Sequence, residues 1–130
     1  MIVLDASALV AIVLKETESR RFRSFIARHD CIIGAPTRFE AEMVLLSRLG
    51  APAVAALRHL LAARTVETID FTPEHTKIAF DAFERFGRGR HPAKLNFGDC
   101  MAYAVARCAN APLLFKGDDF SKTDIVAVIP

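Results

Sequence analysis

Five carboxylic acids occupy positions where they could act together: Asp5, Glu40, Asp99 and the adjacent pair Asp118 and Asp119. Asp5 interrupts an apolar stretch, where a buried charge is costly unless it is satisfied. Carboxylates that lie close together repel one another and raise each other's pKa, and a divalent cation would relieve that repulsion. Ligands that are all oxygens suit Mg²⁺ or Mn²⁺ and disfavour zinc. Such an ion supports in-line attack on a phosphate, so the pattern predicts phosphodiester hydrolysis.

Strands and helices alternate along the chain around these acids. Short apolar runs predict strands at residues 2–4, 31–33, 66–69, 113–115 and 125–129. Helical patterns fall between them, at residues 7–14 and 18–28 and in helices that begin near residues 37, 52, 73 and 96. The alternation predicts an α/β fold of three layers (α/β/α), with a central, mainly parallel sheet of four to five strands.

The carboxyl ends of parallel strands form the edge at which such sheets usually carry their active sites. Asp5 directly follows the first predicted strand, and Asp118 and Asp119 follow the fourth. Glu40 and Asp99 are predicted in the first turns of helices that follow strand-to-helix connections. We therefore expect four separate segments to bring carboxylates to one edge of the sheet.

Purely structural roles compete with this interpretation. Thr37 and Glu40 have the spacing of a capping box, which alone accounts for the glutamate, and Asp99 could likewise be only a helix cap. One member of the pair 118–119 is expected to form a turn. The hydroxyl of Ser7 could bond Asp5 or a metal-bound water, or cap the first helix.

A segment rich in positive charge directly precedes Asp99. This basic segment, residues 85–94, contains glycines and a proline typical of a loop and carries Arg85, Arg88, Arg90, His91 and Lys94. It could hold a polyanion backbone beside a metal, or be an ordinary solvated loop.

Composition limits the class of protein. The 130 residues carry a formal charge of +2 and are 52% hydrophobic, which predicts one domain with a proper core and excludes disordered, collagen-like and disulfide-scaffold chains. The three cysteines show no C-x-x-C spacing and are typical of a reducing cytoplasm. The longest apolar run, residues 6–14, is too short to span a bilayer, so no membrane segment is expected.

Four motifs together resemble one known family. They are MIVLDASAL at residues 1–9, TRFEA at 37–41, LNFGDC at 95–100 and LLFKGDDF at 113–120. The chain resembles PIN-domain ribonucleases, specifically the VapC toxins of bacterial type II toxin–antitoxin systems. The resemblance covers nearly the whole chain and implies a single PIN domain over residues 1–130.

The resemblance implies an endoribonuclease that depends on Mg²⁺ or Mn²⁺ and hydrolyses phosphodiester bonds in cellular RNA. The acidic quartet carried over by position is Asp5, Glu40, Asp99 and Asp119. Asp119 is favoured over Asp118 because an aromatic residue, Phe120, follows it, as is common in the family. Asp5 and Asp99 are expected to hold the metal directly or through water, and the other two acids to complete the shell and orient the attacking water.

The resemblance also implies partners: a second copy of the chain in a homodimer, and a VapB-type antitoxin whose C-terminal segment enters the groove of the toxin. Helices between residues 36 and 63 carry more apolar side chains than one sheet face requires, which agrees with buried partner surfaces. The main alternative is a catalytically inactive PIN-like module that binds RNA or protein. Dehalogenase-like phosphatases fit poorly, because they need a second aspartate where Ser7 stands. Receiver domains also fit poorly.

Overall fold

The computed structural model describes residues 1–62 and 65–128, in which strands and helices alternate as predicted. The strands are Ile2–Leu4 (β1), Cys31–Gly34 (β2), Val66–Ile69 (β3) and Leu113–Leu114 (β4). The helices are Ala6–Val13 (α1), Ser19–Arg28 (α2), Ala35–Leu49 (α3), Ala51–Leu61 (α4), Pro73–Phe86 (α5) and Phe97–Ala109 (α6), followed by a 3₁₀ turn at Phe120–Lys122.

All four strands are parallel and lie in the order β3-β2-β1-β4. Val3 pairs with Ile32 on one side and with Leu113 on the other. The chain adds β2 and β3 on one side of β1 and then β4 on the opposite side. A crevice opens where the strand order reverses in this way, so the carboxyl ends of β1 and β4 flank the expected site.

Two separate cores lie on the two faces of the sheet. Successive residues of a strand point to opposite faces. Ile2 and Leu4 pack with α1 to α4, whereas Val3 packs with α5 and α6. This arrangement confirms the predicted three-layer α/β/α fold, with four strands rather than five in the described part of the chain.

The start of α3 differs from the prediction. The helix begins at Ala35, with Gly34 as its N-cap and Pro36 in its first turn, where the missing N–H of proline costs nothing. The predicted capping box is therefore wrong. Thr37 lies inside the first turn, and its buried hydroxyl has no hydrogen-bond partner among the described residues. Glu40 consequently lies in the second turn, where a capping role no longer accounts for it.

The C-terminal region also differs from the prediction. Strand β4 is one residue shorter than expected. The predicted strand at 125–129 is reduced to a single bridge between Ala127 and Leu113, and residue 129 lies outside the described residues. The predicted start of α5 is confirmed, because Thr72 caps the helix and exchanges hydrogen bonds with His75.

The three cysteines are free thiols. Cys31 and Cys100 are buried, and burial raises the pKa of each thiol to about 11, so both stay neutral and pack as small apolar residues. In residues 1–62 and 65–128, no helix has the length and apolar character needed to cross a membrane.

Candidate active site

Asp5 lies directly after β1 and is the N-cap of α1. Its Oδ2 accepts hydrogen bonds from the Ser7 N–H at 3.1 Å and from the Ser7 hydroxyl at 2.5 Å. The residue is only 4% exposed. Burial raises the pKa of this carboxyl above its usual range, and the bonds from Ser7 offset part of that rise. A buried carboxyl of this kind lowers the stability of the folded state, which favours a functional reason for its presence.

Ser7 connects the two strands that flank the crevice. While its hydroxyl donates to Asp5, it accepts a hydrogen bond from the Lys116 N–H, just beyond β4, at 3.0 Å. The ammonium group of Lys116 in turn forms ion pairs with Glu16 and Glu18, in the connection between α1 and α2. These contacts hold the segment that carries the pair 118–119 beside Asp5.

Glu40 projects from α3 into the same cleft. Asp5, Glu40 and Asp99 all line this cleft, whose volume is about 220 Å³. Burial, reinforced by the negative charges of the other two acids, raises the pKa of Glu40 to about 7. The structure therefore brings together three predicted site residues from three separate segments: the end of β1, α3 and α6.

Asp99 lies in the first turn of α6 and takes part in a reciprocal cap. Its Oδ2 accepts from the Asn96 N–H at 3.0 Å, and Asn96 Oδ1 accepts from the Asp99 N–H at 2.9 Å. Burial raises the pKa of Asp99 to about 6, with smaller contributions from the charges of Asp5 and Asp119 and opposing contributions from the Asn96 bond and from Arg88. Asp99 thus takes part in a cap, and the same bonds hold its carboxylate at the cleft.

The two terminal candidates differ in their surroundings. Both are exposed, but Asp119 directly precedes the buried Phe120 and lies near enough to Asp99 for its charge to raise the pKa of that carboxyl. The Asp118 carbonyl accepts from the Ser121 hydroxyl at 2.6 Å, as in a turn. These positions favour Asp119, and its role as the fourth acid stays a prediction.

Gly98 is a site residue that sequence reasoning missed. A Cβ atom at this position would lie 2.2 Å from Glu40 Oε2 and 2.7 Å from Glu40 Cδ. The glutamate carboxylate therefore packs directly on the backbone of the first turn of α6, beside Asp99. The signal in the sequence was a glycine within a predicted helix, where it costs about 1 kcal/mol relative to alanine.

Comparisons with known proteins agree with this geometry. A family model for the PIN domain matches residues 2–126. The chain is 36% identical over 127 residues to ribonuclease VapC30 of Mycobacterium tuberculosis, covering 97% of each chain. It is 38% identical over 125 residues to ribonuclease VapC36 of the same organism, covering 95% of this chain and 90% of that one. The chain belongs to the VapC family of PIN-domain ribonucleases.

Solved structures show the same fold in other VapC proteins. The chain matches the crystal structure of Mycobacterium tuberculosis VapC20, which is described as a sarcin–ricin loop cleaving toxin. The match covers 100% of both chains, with a TM-score of 0.82 at 20% sequence identity. VapBC2 from Rickettsia felis, bound to a promoter DNA fragment, gives a TM-score of 0.75 at 15% identity over 98% of both chains. The predicted resemblance to VapC ribonucleases is confirmed.

The donor set of this VapC-family chain suits a hard divalent cation. Within the described residues, no three His, Cys, Asp or Glu side chains converge closely enough to hold a metal ion without moving. The acids that line the cleft nevertheless offer only carboxylate oxygens, and the pKa values of Glu40 and Asp99 are raised in part by neighbouring negative charge. Mutual repulsion of this kind fits a site that is completed by a divalent cation.

Replacing Gly98 by alanine is expected to lower the cleavage rate of this VapC-family chain by about 10- to 100-fold, because a displacement of about 1 Å at a reacting group can cost that much. Thermal stability should change little, since the displaced atoms end a flexible side chain and alanine favours the helix. Cleavage rates at saturating metal, together with melting temperatures, test this.

A double variant serves as the control for Gly98→Ala. Combining it with Glu40→Asp shortens the displaced side chain, so the two losses should be less than additive. Full activity of Gly98→Ala would show that the position of the Glu40 carboxylate does not matter.

Proposed function

We propose that the cleft lined by Asp5, Glu40 and Asp99 is the active site of a metal-dependent endoribonuclease that acts as a VapC-like toxin. One observation carries the proposal: three carboxyl groups from separate segments of the chain line one cleft beside the reversal of strand order, and burial with mutual repulsion raises the pKa of Glu40 to about 7. Membership of the VapC family supports the same activity.

Each acid has a distinct task in the proposed reaction. Asp5 and Asp99 would hold Mg²⁺ or Mn²⁺, which when bound would supply positive charge to the phosphate and acidify water. Glu40 would orient the attacking water with Asp119 and accept the proton of that water. The water oxygen bonds to phosphorus as the bond to the 3′ oxygen breaks, and the 3′ oxygen takes a proton from solvent, which leaves 5′-phosphate and 3′-hydroxyl ends.

The decisive experiment uses protein freed of any antitoxin and total cellular RNA. With Mg²⁺ or Mn²⁺, the wild type should produce discrete cuts whose ends are mapped by sequencing. Asp99→Asn should abolish them, whereas Asp118→Asn, which removes the same charge from an exposed turn, should retain them. Asp119→Asn should behave like Asp99→Asn if Asp119 is the fourth acid.

One result of this experiment would contradict the proposed activity. If folded, antitoxin-free wild type cleaves no class of RNA with either ion, the catalytic proposal is wrong. The chain would then be a PIN-like module that binds RNA or protein without cutting.

Two exposed apolar surfaces support the proposed partners, a VapB-type antitoxin and a second copy of the chain. One surface lies on α3 and α4, where Phe39 and Leu46 are 61% and 57% exposed. The other lies on α5 and α6, where Phe80 and Phe97 are 64% and 81% exposed. Light scattering of the purified chain tests the homodimer, and a single-chain mass would contradict it.

The antitoxin is tested by purification from the native cell. A small protein that co-purifies with the chain and suppresses its cleavage is expected, and active chain purified alone would contradict it. The single PIN domain over residues 1–130 and the cytoplasmic location also stay proposals.

A further inference from the structure

The connection from α5 to α6, residues 87–96, has a defined shape although it contains no regular helix or strand. The Arg88 N–H donates to the Leu95 carbonyl at 3.0 Å, and the Leu95 N–H donates to the Phe86 carbonyl at 3.0 Å. Inside this closure, His91 Nδ1 accepts from the Ala93 N–H at 3.0 Å. Ala93 and Leu95 are fully buried, so the connection is anchored in the core and presents its cations from a preformed scaffold.

One peptide group joins this connection to the candidate active site. The carbonyl of Leu95 accepts from the Arg88 N–H, and the amide of the same peptide, the Asn96 N–H, donates to Asp99 Oδ2 at 3.0 Å. The backbone of Arg88 is therefore linked to the Asp99 carboxylate through a single peptide group. Its charge is near enough to lower the pKa of Asp99.

The cations of the basic segment divide into engaged and available groups. Arg85 is engaged: it donates to Asp81 at 3.1 Å and to Asp124 at 3.0 Å. The exposed side chains of Arg88 and Lys94 form no hydrogen bond or ion pair within residues 1–62 and 65–128. Arg90 uses only its Nε, which donates to a backbone carbonyl at 3.1 Å.

We infer that Arg88, Arg90 and Lys94 bind successive backbone phosphates of single-stranded RNA, with Arg88 at the phosphate nearest the acidic cleft. The inference rests on the proposed function for its substrate class. A polyanion that enters a cleft lined by carboxylates needs cations beside it. These three are exposed, lie in the connection that leads to Asp99, and are not neutralised by partners among the described residues. Contacts to phosphate alone position the strand without selecting its sequence.

The test measures RNA binding separately from cleavage. Binding of a fluorescent single-stranded RNA is followed in EDTA, over a series of salt concentrations, for the wild type, Arg88→Gln, Arg90→Gln and Lys94→Gln. Each substitution should weaken binding several-fold and reduce the slope of log affinity against log salt by about 0.7. The matched control is Arg23→Gln, at an exposed position of α2 in the other helical layer, which removes the same charge and should change neither quantity.

The outcomes separate this inference from the proposed function. RNA binding that weakens in the three variants but not in Arg23→Gln supports the inference even if the wild type proves unable to cleave. Unchanged RNA affinity in all three variants, with melting temperatures equal to that of the wild type, overturns it. If the variants keep RNA affinity but lose affinity for a polyglutamate peptide, the surface binds acidic protein and the inference is equally wrong.

Discussion

Replacing Asp5 by asparagine is expected to lower the rate of RNA cleavage by a factor on the order of a thousand, because the acids act as one unit around the ion. The variant should nevertheless fold. Asparagine retains an acceptor oxygen for the Ser7 N–H, so it can still cap α1.

Stability should change in the opposite direction from activity. Because burial raises the pKa of Asp5 above its unfolded value of 3.8, the ionised carboxylate disfavours the folded state at neutral pH. Metal-free Asp5→Asn should therefore melt at or above the temperature of the wild type at pH 7.5. The difference should shrink as the pH falls and vanish below 3.8, where the wild-type carboxyl becomes protonated in both states.

Cleavage rates and melting curves on the same preparations check this prediction. A loss of activity accompanied by a lower melting temperature would indicate that Asp5 is needed for folding. Retained activity would remove Asp5 from the active site.

Metal removal should abolish cleavage, and the stabilising effect of added metal should depend on pH. The pKa values of Glu40 and Asp99 are raised to about 7 and about 6, from 4.5 and 3.8. The stability that these protonated groups contribute is present below the unfolded values and is lost as the pH rises through about 6 and then about 7. The metal-free protein should therefore become less stable between about pH 4 and about pH 7 through these two groups.

Added Mg²⁺ or Mn²⁺ should reverse this loss. At pH 8 the cleft carries its full negative charge, so the ion binds and raises the melting temperature, by about 4 °C for each kcal/mol in a domain of this length. At pH 5 the protonated acids bind the ion weakly and the rise should nearly vanish. Thermal scans with EDTA and with each ion, from pH 5 to pH 8, measure the effect.

The Asp5→Asn variant serves as the control for these scans, because it removes a proposed ligand. An equal rise in melting temperature at pH 5 and pH 8, or an equal rise in that variant, would place the bound ion elsewhere on the protein. Cleavage that persists in EDTA would contradict metal dependence itself.

The local elements were determined largely by the sequence. Strand β3 lies at the predicted residues, and α5 and α6 begin close to the predicted residues 73 and 96, after the caps Thr72 and Asn96. Apolar runs and caps act over a few neighbouring residues, so their pattern is readable without the fold. The prediction for α3 failed locally, because Pro36 favours a first turn that begins before Thr37.

The position of Asp5 at the site could be predicted from the sequence, because parallel strands place their carboxyl ends at one edge. That rule does not account for Asp99, because α6 follows α5 rather than a strand. Only the tertiary structure decided how those acids are held. The Ser7 hydroxyl contacts a backbone 109 residues away, and the Glu40 carboxylate packs on Gly98. Arg85 likewise pairs with Asp124, so its charge is not available with the other cations of the basic segment. Such contacts depend on the packing of distant helices and strands, and no local pattern of residues encodes those distances.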